Sequence, residues 1–179
     1  MDGGEFSGDV NITVETQEAV DYFILHAYNK LKVITSDVYR TAGMVKINHA
    51  EQKSFRYSPN EFLVIPLKEK ALPGKYNIYL TFESELIGTL VGLYKSSYKI
   101  GNTSNSLATT QFESTYARNA FPCFDEPQFK SNFTISIKND VKYNAISNMP
   151  GVISETDATT KTTSFETSVP MTTYLVGMQ

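Results

Sequence analysis

The chain predicts an antiparallel all-β domain of about a dozen short strands, arranged as a sandwich or a curved pair of sheets. Three observations carry this. Apolar and polar residues alternate with a period of two along most of the chain, the mark of strands with one wet face. Its 11 Tyr, 11 Phe and 19 Thr, with no Trp, suit pleated and half-buried surfaces. No window keeps a helical period for three turns.

The elements follow in order. Val10, Ile12 and Val14 alternate with Asn11, Thr13 and Glu15 and predict the first strand. Short strands follow at Tyr22–His26, Leu31–Ile34, Met44–Asn48, Lys53–Tyr57 and Phe62–Pro66. Leu72-Pro73-Gly74-Lys75 supplies a turn, after which Tyr76, Ile78, Leu80 and Phe82 line one side of a strand over Tyr76–Phe82. Thr89–Tyr98 reads as a longer strand bent at Gly92, and Gly101–Leu107 as a polar, flexible loop. The last strands are expected at Asn132–Lys138, Tyr143–Asn148, Lys161–Glu166 and Tyr174–Val176. Between them Glu113–Phe129 has no period of two. Its Phe121-Pro122-Cys123-Phe124-Asp125-Glu126-Pro127 predicts an ordered, packed loop, because proline lowers the entropy lost on folding.

Composition excludes several classes of function. At 179 residues the chain fits one domain, and 41% hydrophobic with 20% charged residues supports a core. A net charge of −3 with scattered Lys and Arg argues against nucleic acid as the main partner. A single cysteine, Cys123, rules out an internal disulfide and a Cys-rich zinc finger. The two histidines, His26 and His49, are 23 residues apart, so they do not form a two-histidine zinc helix, and no metal site is expected here. The apolar run Leu86–Tyr94 is far short of the roughly 18 residues that span a bilayer, so no transmembrane segment is expected. The polar, acidic start does not read as a signal peptide. The uncapped apolar run at Tyr174–Val176 predicts a chain that continues beyond these residues.

Candidate functional residues are few. Gln111 and Glu113, two apart on an extended backbone, share a polar face while Thr110 and Phe112 turn to the core. They read either as ordinary solvent-facing residues or as a recognition pair. In the second case the carboxylate accepts from an ammonium beside an amide that bonds a peptide carbonyl. Asp125 and Glu126 are adjacent and point opposite ways, which suits loop hydrogen bonds or pairing with Arg118 better than an acid–base dyad. Cys123 reads as an inert buried thiol, His26 as a core or rim residue, and His49 as a turn residue. N-glycosylation sequons stand at Asn11, Asn102 and Asn132. Random placement of 12 Asn and 35 Ser plus Thr gives about 2.3 such sequons, so three carry no signal by number. Asn102, in the polar segment, is the most usable.

Ala108-Thr109-Thr110-Gln111-Phe112-Glu113, followed by Tyr116-Ala117-Arg118-Asn119-Ala120-Phe121-Pro122-Cys123-Phe124-Asp125-Glu126-Pro127, resembles the N-terminal domain of zinc aminopeptidases of the aminopeptidase N type. Phe6–Val10, Gly92–Tyr98, Ser147–Pro150 and Met171–Val176 resemble further parts of that domain, so the likeness runs over nearly the whole chain. It implies a saddle-shaped, mostly antiparallel β domain at residues 1–179, lacking the family's first strand and followed by a thermolysin-like catalytic domain. The parent enzyme implied is a zinc-dependent exopeptidase whose metal lies outside this chain. On that resemblance Gln111 lines the pocket for the first side chain of a peptide and helps position its first peptide group. Glu113 joins a glutamate of the absent catalytic domain in holding the free α-amine. The Phe121–Pro127 run is a signature with a structural role, and no catalytic residue is expected in this chain.

Three readings therefore compete. The resemblance implies a substrate-recognition domain that partners a peptide N-terminus and its own catalytic domain. The alternative is a non-catalytic protein-binding β-sandwich module of a cell-surface ectodomain, which explains the strands but not the motif run. A cysteine-dependent enzyme needs a basic group beside Cys123. The Asn102 sequon favours the extracellular face of the plasma membrane or secretion over the cytoplasm.

Overall fold

Tyr76, Ile78, Leu80 and Phe82 alternate along one strand, and all four are buried. That period-two face organises the larger core of the chain. The structure, a computed structural model, describes residues 4–47, 53–86 and 88–179. In chain order its strands are β1 (Glu5–Thr16), β2 (Val20–His26), β3 (Lys32–Arg40), β4 (Val45–Lys46), β5 (Phe55–Tyr57) and β6 (Phe62–Ala71). They continue as β7 (Gly74–Glu85), β8 (Gly92–Ile100), β9 (Thr103–Gln111), β10 (Ser136–Asp140), β11 (Gly151–Thr156) and β12 (Thr160–Phe165). The only helical elements among the described residues are single 3₁₀ turns. Every strand pairing is antiparallel, so the all-β class expected from the alternation holds.

The chain divides into two compact units. One comprises Gly3–Glu85 together with Arg118–Phe124. In it β7 is central to the sheet β1-β7-β3-β4, and a second sheet runs β2-β6-β5. β1 pairs with β7 from Glu5↔Glu85 to Thr16↔Gly74 without a register shift. Gly8 lies directly opposite Phe82, and a Cβ there would come within 2.7 Å of the ring, so only glycine leaves room for it. The core gathers Phe23, Leu25, Leu31, Val38, Ile47, Leu63, Ile65 and the β7 face. Arg56, half-buried on β5, donates to the carbonyls of Ala27, Tyr28 and Leu31 and so satisfies an irregular loop, and burial lowers its pKa.

The segment Arg118–Phe124 bonds to the chain at and just beyond the end of β2. The N–H of His26 donates to Cys123 O at 2.8 Å, and the N–H of Cys123 donates to His26 O at 3.0 Å. Tyr28 N–H donates to Arg118 O at 2.9 Å. The aromatic–proline run thus pairs with the last residue of β2, an edge strand of its sheet.

The other unit comprises Leu86–Ala117 and Asp125–Gln179. It holds the hairpin β8-β9 and the sheet β10-β12-β11. Gly151 opposes Phe165, whose ring would lie 2.6 Å from a Cβ at that position. Residues 146–148 clamp the segment 175–179. Asn148 donates from Nδ2 to Leu175 O at 2.8 Å and accepts at Oδ1 from Gly177 N–H at 2.7 Å. Ser147 Oγ donates to Gly177 O at 2.6 Å, and Ile146 and Gln179 exchange backbone bonds of 2.8 and 2.9 Å.

Several elements differ from expectation. The polar stretch Gly101–Leu107 is a two-residue turn entering β9, because β8 offers it a ladder from Ile100↔Thr103 to Gly92↔Gln111. The bend at Gly92, with φ at +71°, begins β8 and does not interrupt a strand from Thr89. β11 is a strand although all six of its residues are exposed, so it carries no burial pattern. Tyr143–Asn148 makes only an isolated bridge, Ser147↔Met178, and Thr173–Leu175 is a 3₁₀ turn in place of a strand. Met44 ends a 3₁₀ turn before β4, while Asn48 and His49 lie outside the described residues.

Candidate substrate-recognition site

The β8-β9 hairpin places the candidate pair. Its two-residue turn, Gly101-Asn102, has Gly101 at φ +59°, a conformation glycine adopts without steric cost. Nine register pairs away, Gln111 is the last residue of β9 and lies opposite Gly92. Phe112 follows, 2% exposed, while Gln111 and Glu113 on either side of it are exposed. Burying one aromatic side chain therefore turns both polar neighbours outward, as the spacing predicts.

The backbone differs from that expectation at Glu113. β9 stops at Gln111, and Glu113 opens a turn closed by Tyr116 N–H donating to Phe112 O at 2.9 Å. The Glu113–Ser114 peptide is cis. Gln111 Nε2 donates weakly to Glu113 O at 3.5 Å, which sets the two residues side by side. Among the described residues the Glu113 carboxylate has no hydrogen-bond or ion-pair partner. It is an exposed acceptor pair with capacity to spare.

Thr110, directly before the pair, is tied to the chain 68 residues away. Its hydroxyl accepts from Met178 N–H at 3.0 Å and donates to Met178 O at 3.4 Å. Thr110 is half-buried on the face opposite Gln111.

The remaining candidates serve local structure. Arg118 Nη1 lies 3.4 Å from Glu61 Oε2, a partner 57 residues distant that sequence spacing could not indicate. Asp125 is 3% exposed, whereas Glu126 is half-buried and accepts from Gln128 Nε2 at 2.6 Å, so the two carboxylates occupy different environments. Cys123 is buried, and its bridge partner His26 meets the ring of Phe62 edge-on with centroids 5.1 Å apart. Among the sequons, Asn11 and Asn102 are exposed, but Thr13 Oγ1 already donates to Asn77 Oδ1 at 2.9 Å. Asn132 Nδ2 donates to Ser168 O at 2.6 Å, and the Thr134 hydroxyl bonds that of Thr167 at 2.8 Å. Asn102 and Ser104, by contrast, have no side-chain partner among the described residues. No group of three or more His, Cys, Asp or Glu among the described residues could hold a metal ion, and no described helix is long and apolar enough to cross a membrane.

Antiparallel β structure and an exposed amide–carboxylate pair followed in sequence by the Phe-Pro-Cys-Phe-Asp-Glu-Pro run accord with the class to which this chain belongs: the Peptidase M1 N-terminal domain family, whose model matches residues 1–175. Similar relatives bear this out. The chain is 38% identical, over 99% of its length, to Aminopeptidase A of Gloydius brevicauda. It is 36% identical over 96% to human Glutamyl aminopeptidase, and 35% identical over 97% to human Endoplasmic reticulum aminopeptidase 2. It spans only 18% of the length of each of these relatives.

Proposed function

We propose that this chain is the substrate-recognition domain of a zinc-dependent aminopeptidase, and that Gln111 and Glu113 contact the N-terminal end of a bound peptide. The observation that carries the reading is the exposed Glu113 carboxylate, without a partner among the described residues, on a residue whose backbone carbonyl accepts from the Gln111 amide across the buried Phe112. A carboxylate that accepts from a substrate ammonium makes a charge-assisted bond, stronger than a neutral one. Fixing the ammonium fixes register: the first peptide bond, and no later one, reaches the reacting centre. The Gln111 amide supplies both a donor and an acceptor for the adjacent peptide group. The described residues offer no metal ligand set, so on this reading the zinc and the catalytic groups belong to a catalytic domain outside these residues. The unengaged Asn102 sequon supports a parent enzyme that is secreted or faces the cell exterior.

In the full-length parent, Glu113→Ala is expected to lower kcat/KM for an amino-acid anilide roughly 10- to 150-fold. That corresponds to about 1.5–3 kcal/mol, the range for a hydrogen bond to a charged group. An unchanged kcat/KM removes Glu113 from the site.

A further inference from the structure

We infer that Thr110 is a positioning residue for Gln111, an assignment that rests on the reading of Gln111 as a substrate contact. Among the described residues β9 has a strand partner on one side only, since β8-β9 is a two-stranded sheet. An isolated hairpin is marginal in water, so a side chain at its end needs a second tie to hold one position. Thr110 provides that tie from the residue immediately before Gln111. Its hydroxyl works in both directions, accepting from Met178 N–H at 3.0 Å and donating to Met178 O at 3.4 Å.

The anchor at the other end is firm. Met178 belongs to a segment gripped by the paired bonds of Asn148 to Leu175 and Gly177, by Ser147 to Gly177, and by the Ile146–Gln179 exchange. Thr110 therefore bonds to a fixed backbone. A β-branched residue suits the task, because restricted χ1 holds the hydroxyl in one direction. Alternation along the strand then translates a fixed Thr110 into a fixed opposite-facing Gln111.

The test is a pair of substitutions in the full-length enzyme, each made with and without Gln111→Ala. Thr110→Val keeps the shape and deletes both bonds. It is expected to lower kcat/KM about tenfold, since small misplacements of a substrate contact cost one to two orders of magnitude. Thr110→Ser, which retains the hydroxyl, should recover activity to within about threefold of the parent enzyme. On the Gln111→Ala background Thr110→Val should have no further effect on kcat/KM, although its melting temperature still falls. A Thr110→Val loss of the same size with and without Gln111 overturns the inference, because that is what simple destabilisation gives. When Gln111→Ala is itself silent, the recognition reading fails. When Gln111→Ala is damaging and Thr110→Val is silent or fully additive, only the role of Thr110 fails.

Discussion

The two units are held together by different means. In the unit running to Glu85, fourteen buried apolar residues form one cluster, and backbone ladders supply most of the polar bonding. In the unit containing β8 to β12, the buried apolar side chains among the described residues are Phe112, Ala117, Phe165 and Val176. All five buried polar or charged residues, Asp125, Thr163, Ser168, Thr172 and Thr173, fall in this second unit. Hydroxyl pairs such as Ser154–Ser164 and side-chain clamps such as Asn148 take the place of a large core. The candidate recognition pair belongs to this polar-stapled unit. Hydrogen bonds are directional where apolar packing is not, so such a unit fixes the placement of a side chain more sharply than it adds stability.

Substitutions can break or sharpen this contrast. The largest effect is expected at Ile78, fully buried in the apolar cluster. Ile78→Ala should lower unfolding free energy in denaturant titration by about 3 kcal/mol, from lost transfer energy and a residual cavity. Asn148→Ala should cost less, about 1–2 kcal/mol for two hydrogen bonds. Its effect should also be local: amide exchange at Gly177 and Gln179 accelerates while the Ile78 amide keeps its protection. Equal costs at the two sites, or global loss of protection from Asn148→Ala, would erase the distinction.

The smallest effect is expected at Asp157, in the β11–β12 turn. Its carboxylate accepts from Thr159 N–H and Thr160 N–H, each at 2.7 Å, and from both threonine hydroxyls. Those bonds pull its pKa well below the ordinary value of 3.8. A depressed carboxylate pKa means a stabilising contribution that is fully present above the unfolded value and is lost as pH falls through the lower folded value. The stability difference between Asp157→Ala and the parent chain should therefore be constant near neutrality and shrink in strongly acid solution. A difference independent of pH would show that the ionised turn contributes nothing.

How much of this was legible from sequence depended on which unit a residue occupies. The apolar face of β7 is legible because Tyr76, Ile78, Leu80 and Phe82 bury on a strict period of two. β9 and β11 are not legible in the sequence, because neither carries a strict alternation of buried and exposed residues. Thr103-Ser104-Asn105-Ser106 has turn-forming composition and becomes a strand only because β8 pairs with it, and Gly151–Thr156 is exposed on both faces. The outward placement of Gln111 and Glu113 was legible through Phe112, since burial of a single aromatic sets the parity of its neighbours. The end of β9 at Gln111, the Arg118–Glu61 pair and the Thr110–Met178 tie were not. The last two join residues 57 and 68 positions apart, and nothing local encodes them.

The turn at Gly101-Asn102 has one last implication. From that hinge the hairpin works as a ruler, and Gln111 is found by counting along it. Inserting a single residue within β9 would reverse every later side chain and send the amide inward. Lineages carrying this domain should therefore vary the hairpin's length at its tip, or by even steps, while an odd insertion inside the strand should be purged.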